Sequence, residues 1–276
     1  MDPTLRRGLV AELLGTFAVV YFGAGAVCVN YLTAGQPPGA APVHALQPGL
    51  VGIALAQGLI VAAALAVTVR HSGGFLNPAV TLMLWVFNRL DNKRTAVFLG
   101  AQLAGAVLAG ACLRFTFEDA LLREARVGTP HLNATAFPTL GTASIVAGTG
   151  VELVLTFFLV FAIFGTVHGG ARPQQAALTA GLTLTAGTLF AYALTGAAAN
   201  PARWFGTVLW EQLLPEHATT PWGDTFVYLA GPILGALAAG LVTFRFVLNE
   251  PPAGEPTRPA ATSQPAKAPV AAGKRK

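Results

Sequence analysis

Two copies of the tripeptide Asn-Pro-Ala are the residues in this chain whose types and spacing most suggest chemistry. They are Asn77-Pro78-Ala79 and Asn200-Pro201-Ala202, and Arg203 directly follows the second copy. Asparagine is a favoured helix N-cap and proline a favoured first helical residue, so each tripeptide predicts the start of a helix. A side-chain amide there can donate hydrogen bonds, and a guanidinium adds donors that stay charged. Together these groups suggest hydrogen bonding to small polar molecules.

The apolar stretches after the tripeptides predict two half-length helices. One stretch ends near Asn88 and the other near Trp210, so each is about ten residues long, too short to cross a bilayer. Non-helical backbone at membrane depth is tolerated only where it is packed in protein or lines a watery cavity. Paired interrupted segments of this kind therefore point to a permeation or binding site.

The composition of the chain and its long apolar stretches predict a membrane protein. Of its 276 residues 54% are hydrophobic and only 11% are charged, with a mean hydropathy of +0.59, which argues against disorder of the chain as a whole and against an ordinary soluble domain. The basic residues separate apolar runs rather than forming a nucleic-acid surface. Stretches of about 20 apolar residues can cross a bilayer. Six qualify, near 9–30, 49–69, 95–115, 144–168, 176–195 and 225–248.

The spans form an internal repeat. Glu12 and Glu152 occupy matching places early in the first and fourth spans. Each half then has a second span, an Asn-Pro-Ala half-helix and a third span. Because three spans are an odd number, the second half must be inverted, and the two half-helices enter from opposite sides and meet at the midplane. We predict repeats at about 9–115 and 144–248, a short N-terminus at 1–8, and a disordered tail at 249–276.

The distribution of lysine and arginine predicts the orientation. The side that carries both termini holds thirteen of them, and the opposite side only four: Arg114, Arg123, Arg126 and Arg203. Because positive charge marks the cytoplasmic side, both termini are predicted to be cytoplasmic, in a plasma or bacterial inner membrane.

These motifs resemble the aquaporin / major intrinsic protein family, over about residues 8–248. The resemblance implies an all-α membrane protein of six transmembrane helices and two re-entrant half-helices, assembled as a homotetramer in membrane lipid and requiring no cofactor or metal. It also implies passive conduction of water. Asn77 and Asn200 would hold each water by its oxygen between two helix N-termini, which interrupts a proton wire and repels cations.

The resemblance also implies roles for further residues. Glu12 and Glu152 would brace the re-entrant loops, and Arg203 would form an outer constriction. Three more positions would complete this selectivity filter: Gln57, Thr188 and Ala197. Typical water channels have Phe and His at the first two positions, and glycerol channels have Trp and Gly, so this filter matches neither class. We expect a wider, more polar constriction that passes water and small neutral solutes such as glycerol, urea or ammonia.

Simpler interpretations of individual residues remain open at this point. The two asparagines can be helix caps only, Arg203 an interfacial side chain, and Gln57 a residue turned into a helix interface. A proton- or sodium-coupled secondary transporter also has inverted repeats. A structural protein with a closed pore is another alternative, with Phe75 and Trp204 as plugs. With three serines and no triad, metal-ligand or paired-carboxylate pattern, the chain is not predicted to be an enzyme.

Overall fold

A computed structural model of the chain describes residues 1–34, 48–137, 142–168, 172–214 and 221–247. The predicted tail at 249–276 lies outside the described residues. Over the described ranges the chain forms nine α-helices and short 3₁₀ turns, followed by a π-helical turn at Val242–Val247. The helices are α1 Pro3–Ala34, α2 Gly49–Thr68, α3 Pro78–Val86, α4 Asn92–Thr116, α5 Asp119–Ala125, α6 Thr142–His168, α7 Pro173–Thr195, α8 Pro201–Gln212 and α9 Thr225–Leu241.

Six of these helices are long and apolar enough to cross a membrane, which confirms the six predicted spans. They are α1, α2, α4, α6, α7 and α9, the last extended by the flanking 3₁₀ and π-helical turns to Pro221–Val247. The first span is longer than predicted, because its helix already begins at Pro3. The protein is therefore an integral multi-pass membrane protein.

The two halves of the chain repeat the same helix contacts. In the first half α1 packs on α4, and a Cβ added to Gly105 would overlap the carbonyl group of Leu13. In the second half α6 packs on α9, and a Cβ added to Gly235 would overlap the carbonyl group of Leu153. Small residues at these points let the helix backbones approach closely. The halves meet where α2 packs on α7, with Gly58 against Gly181.

The half-helices α3 and α8 begin at the two Asn-Pro-Ala tripeptides. Asn77 and Asn200 are the N-caps, with extended backbones, and each is followed by proline at the first helical position. The Oδ1 atom of Asn77 accepts a hydrogen bond from Ala79 N at 2.9 Å, and Oδ1 of Asn200 accepts one from Ala202 N at 2.9 Å. Because α3 packs on α9 and α8 packs on α4, each half-helix is held by a span of the opposite half.

Candidate functional site at the junction of the half-helices

The two half-helices meet through a reciprocal pair of hydrogen bonds. Nδ2 of Asn77 donates to the carbonyl oxygen of Ala199 at 2.8 Å, and Nδ2 of Asn200 donates to the carbonyl oxygen of Leu76 at 2.8 Å. Each asparagine therefore caps its own helix with Oδ1 and ties down the opposite loop with Nδ2. An amide NH₂ has two hydrogens, so one donor on each side chain remains for another partner.

The residue before each asparagine has an unusual backbone conformation. Leu76 has a φ of 50° and Ala199 a φ of 49°, in the left-handed region that non-glycine residues rarely adopt. These are the two residues whose carbonyl groups accept the asparagine amides. Backbone strain of this kind persists only where surrounding contacts over-determine it. Sequence reasoning missed both conformations, because leucine and alanine carry no signal for positive φ.

Glu12 supplies part of that restraint for the first loop. It is fully buried, and its Oε1 and Oε2 atoms accept hydrogen bonds from the backbone N–H groups of Phe75 at 3.0 Å and Leu76 at 2.7 Å. Nε2 of Gln102 on α4 adds a third hydrogen bond to Oε2 at 2.7 Å and also contacts Thr81 Oγ1 at 2.8 Å. Sequence analysis did not single out Gln102, although an amide within the apolar stretch 95–115 was a signal.

Glu152 holds the second loop in the corresponding way. It is fully buried, and it accepts hydrogen bonds from Ala198 N at 3.0 Å and Ala199 N at 2.7 Å. The third donor here is the hydroxyl group of Thr195, 2.6 Å from Oε1. The carbonyl group of Thr195 in turn accepts a hydrogen bond from the hydroxyl group of Tyr228 at 2.6 Å. The two carboxylates thus make equivalent backbone contacts, completed by different side chains.

A cavity of about 40 Å³ lies against this junction. Asn77, Asn200 and Arg203 form its polar wall, while apolar side chains such as Val19 and Leu184 line the remainder. A cavity of this size holds only a few waters. A small molecule there meets both hydrogen-bonding groups and apolar surface.

The four predicted filter residues lie within the bundle, none more than 3% exposed. Thr188 Oγ1 donates to Gln57 Oε1 at 3.2 Å, joining α7 to α2. A Cβ added to Gly23 would lie 3.5 Å from Gln57 Cγ and 3.9 Å from Arg203 Nε, so these two side chains flank Gly23 on α1. Ala197 has a φ of 50°, left-handed like Ala199. The structure therefore joins Gln57 to Thr188 and places both Gln57 and Arg203 beside Gly23.

Three buried donors of this filter have no protein acceptor among the described residues. They are Nε2 of Gln57 and the Nε and Nη1 atoms of Arg203. A buried donor without a partner is costly, and a buried guanidinium more so. An acceptor oxygen placed against these donors would satisfy them.

The two aromatic residues considered as plugs lie in different places. Trp204 is 1% exposed and stacks on Tyr228 with 5.6 Å between the ring centroids, and it does not line the cavity. Phe75 does line the cavity, and its ring lies 6.0 Å from that of Phe98. Trp204 therefore belongs to the packing between α8 and α9, and of the two aromatic residues it is Phe75 that lines the cavity.

Comparison with known proteins gives the same family throughout. The profile of the family described as Major intrinsic protein matches residues 2–243. Aquaporin TIP4-4 of Zea mays is 36% identical over 248 residues, covering 87% of this chain and 86% of the relative. The lens fiber major intrinsic protein of Gallus gallus is 38% identical over 239 residues, covering 86% of this chain and 79% of the relative.

A relative and a solved structure from more distant organisms extend the comparison. Aquaporin AqpM of Methanothermobacter thermautotrophicus is 32% identical over 256 residues, covering 90% of this chain and 99% of the relative. The X-ray structure of the aquaglyceroporin from Plasmodium falciparum superposes with a TM-score of 0.74 at 21% identity, covering 89% of this chain and 98% of that one. The latter similarity shows the shared fold.

Proposed function

Because the chain belongs to the major intrinsic protein family and is a passive channel for water and small solutes, we propose that its conduction path runs past the Asn77/Asn200 junction and the filter. The single observation that carries this proposal is the reciprocal hydrogen bonding of the two asparagines beside a cavity that they help to line. The remaining N–H of each amide is then the donor offered to a permeating molecule.

At the junction, we propose, each water is held by its oxygen. The N-termini of both half-helices lie there, and each N-terminus carries roughly half a positive charge from the peptide dipoles of its helix. A water that accepts hydrogen bonds from both amides points its own hydrogens away along the two arms of the pore. This orientation interrupts the chain of hydrogen bonds that protons require, and the positive potential repels cations.

At the filter, the unpartnered donors of Gln57 and Arg203 favour solutes with a good acceptor oxygen. Water satisfies this requirement, and so do urea and glycerol. The apolar remainder of the cavity lets such molecules pass without binding them tightly. We propose that water is conducted together with small neutral solutes of this type, and that ions are excluded by the Arg203 charge.

The bracing of the loops argues against the coupled-transporter alternative. Coupling to protons or sodium requires a buried acid that is free to bind the ion. The acids buried in the spans beside the junction are Glu12 and Glu152, and each carboxylate already accepts three hydrogen bonds from the protein. We therefore propose conduction with no covalent step and no bound cofactor.

Membrane placement and assembly are also part of the proposal. The excess of Lys and Arg on one side supports cytoplasmic termini in a plasma or bacterial inner membrane. Family membership supports a homotetramer with one pore in each subunit. Large apolar side chains on the outside of the bundle, such as Phe22, Leu59 and Phe190, suit contact with lipid or with a neighbouring subunit.

Stopped-flow light scattering on proteoliposomes tests the function. We expect fast water flux in an impermeant osmotic gradient, and urea and glycerol flux in inward solute gradients. Arg203→Val removes a unit charge from the filter, so proton leak should rise roughly tenfold. Arg94→Val removes an arginine whose side chain is 50% exposed and ion-paired to Asp91, so it is the matched control and should behave as the wild type.

Two results would overturn the proposal. If the wild-type protein passes neither water nor solutes, the chain is a structural protein with a closed pore. If solute flux saturates and follows an imposed proton or sodium gradient, the chain is a coupled transporter.

A further inference from the structure

One part of the cavity at the junction is lined by apolar side chains alone. They come from α2, from the loop before Asn77, from α3 and from α6. We call this group the apolar collar; it consists of Leu65, Phe75, Val80, Leu159 and Ile163. Among the described residues that line the cavity, the polar side chains are Asn77, Asn200 and Arg203, and none of them belongs to the collar.

Helix geometry separates the apolar collar from the filter. On α2, Leu65 follows the filter residue Gln57 by eight residues, which is a rise of about 12 Å along the helix. The loop before Asn77 reaches this level, because a Cβ added to Gly74 would lie 3.1 Å from Leu65 Cδ2. A molecule that follows the proposed path therefore meets the filter and the collar in turn.

Phe75 is the aromatic member of the collar, and its neighbours hold it at the cavity wall. Its backbone N–H donates to Glu12 Oε1 at 3.0 Å. Gly73, with a φ of 101°, makes room for the ring, since a Cβ there would lie 2.5 Å from Phe75 Cε1. The ring also lies 6.0 Å from that of Phe98, which itself needs a glycine: a Cβ added to Gly8 would lie 2.8 Å from Phe98 Cε1.

The polar side chains of the cavity offer donors to a solute. The Oδ1 atoms of Asn77 and Asn200 accept hydrogen bonds from the first N–H groups of their own helices. Each of the two amides makes one hydrogen bond through Nδ2 to the opposite loop and keeps a second N–H. Nε and Nη1 of Arg203 have no protein acceptor in the described residues. A solute therefore finds donors at the junction and apolar surface at the collar.

Such a path distinguishes solutes by the hydrogen-bond donors that they carry. An acceptor oxygen is satisfied at the junction, but an N–H or O–H group of the solute loses its hydration in the collar and finds no side-chain acceptor there. Water loses less, because the next water in the file accepts its hydrogen. Urea and acetamide separate this effect from size, since they have nearly the same shape and acetamide carries a methyl group in place of one NH₂ group.

We propose that the apolar collar determines the class of solute that the channel prefers, with Phe75 as the specificity-determining residue. Small neutral solutes that have one acceptor oxygen and an otherwise apolar surface pass faster than solutes of the same size that carry more donors. Acetamide is of the first kind and urea of the second. The phenyl ring of Phe75 produces this order because it offers the N–H groups of urea no partner. The inference rests on the conduction path described under Proposed function.

The test compares acetamide and urea permeability of the full-length protein in proteoliposomes, after subtraction of the permeability of protein-free vesicles. The acetamide-to-urea ratio of the wild type should be roughly ten, which corresponds to the cost of one unsatisfied buried donor. Phe75→His places a ring nitrogen in the collar, so the ratio should fall severalfold, mainly through faster urea flux. Phe75→Leu keeps the collar apolar, so the ratio should stay at the wild-type value even where both fluxes rise.

Phe115→His is the matched control, because Phe115 is 90% exposed and does not line the cavity, and it should keep the wild-type ratio. The water permeability of each variant, measured in the same vesicles, shows whether the channel is folded. A wild-type ratio near one, or an equal fall of the ratio in Phe75→His and Phe75→Leu, would overturn the inference. Fast water flux with a ratio near one would leave the proposed function intact, whereas the absence of water, urea and acetamide flux would contradict the proposed function itself.

The temperature dependence of the two fluxes gives a second measurement. Because urea gives up more hydrogen bonds than acetamide in the collar, the apparent activation energy of the wild type should be higher for urea than for acetamide. This difference should shrink in Phe75→His and persist in Phe75→Leu. Equal activation energies for the two solutes in the wild type would contradict the inference.

Discussion

Thr188 on α7 donates its hydroxyl hydrogen to the Oε1 atom of Gln57 on α2, with 3.2 Å between the two oxygens. This bond uses the acceptor atom of the Gln57 amide and leaves its Nε2 atom as a buried donor with no protein acceptor in the described residues. The predicted filter therefore has three buried donors without a protein acceptor in the described residues: Nε2 of Gln57 and the Nε and Nη1 atoms of Arg203. We therefore propose that the preference of the filter for acceptor-bearing solutes depends on how Thr188 orients the Gln57 amide.

Thr188→Val is expected to change selectivity without closing the channel. Valine has nearly the shape of threonine but cannot donate, so the Gln57 amide is free to turn and offer its oxygen to solutes that donate hydrogen bonds. Ammonia permeability relative to water should rise roughly two- to tenfold, as the loss of one orienting hydrogen bond allows. It is measured with a pH-sensitive dye inside proteoliposomes. Thr183→Val, which removes a hydroxyl group bonded to the Thr179 carbonyl group of the same helix, is the control and should leave the ratio unchanged.

The contact between α2 and α7 should be intolerant of added volume. A Cβ added to Gly181 would overlap the Gly58 carbonyl group and lie 2.7 Å from Ala62 Cβ, so Gly181→Ala must push the helices apart. Thermal unfolding in detergent should show a loss of about 1–3 kcal/mol. Gly100→Ala is the matched control, since a Cβ there would meet nothing within 4 Å, and it should be neutral or slightly stabilising. Equal losses in the two variants would contradict the prediction.

The reciprocal asparagine bonds predict coupled effects on stability. Asn77→Ala and Asn200→Ala each remove one helix cap and one bond to the opposite loop, so each should lower the free energy of unfolding by about 2 kcal/mol. Because both bonds hold the same junction, the double variant should lose less than the sum of the two. Strict additivity would show that the two bonds act independently. Asn92→Ala is the control: the side chain of Asn92 accepts an exposed hydrogen bond from Trp85, and its loss should be much smaller.

The third hydrogen bond to each buried carboxylate should contribute more to the free energy of unfolding than an ordinary buried hydrogen bond does. Thr195→Val removes the hydroxyl group 2.6 Å from Glu152 Oε1, and the expected loss is about 1.5–3 kcal/mol. Thr156→Val is the matched control, because that buried hydroxyl group bonds the backbone carbonyl of Glu152 rather than its carboxylate. Gln102→Leu should resemble Thr195→Val, since it removes the corresponding donor from Glu12. The free energy of unfolding of the three variants is measured by chemical denaturation, monitored by circular dichroism. A loss in Thr156→Val equal to that in Thr195→Val would refute this ranking.

Local patterns determined the architecture of this protein. The length of an apolar stretch decides whether a helix can cross a bilayer, and an asparagine followed by proline starts a helix wherever it lies. Both are properties of neighbouring residues, so the six spans and the starts of α3 and α8 could be predicted from the sequence.

The tertiary structure decided which polar groups meet. The bonds between the Asn-Pro-Ala loops join residues 122 and 124 positions apart, and that between Gln57 and Thr188 joins residues 131 positions apart. The left-handed backbones of Leu76 and Ala199 exist only because these bonds and the carboxylates Glu12 and Glu152 hold them. His131, Glu211 and Asp224 likewise come together from three separate segments. No local pattern encodes such contacts, because a side chain in the apolar interior takes whichever partner the packing of the spans brings within reach.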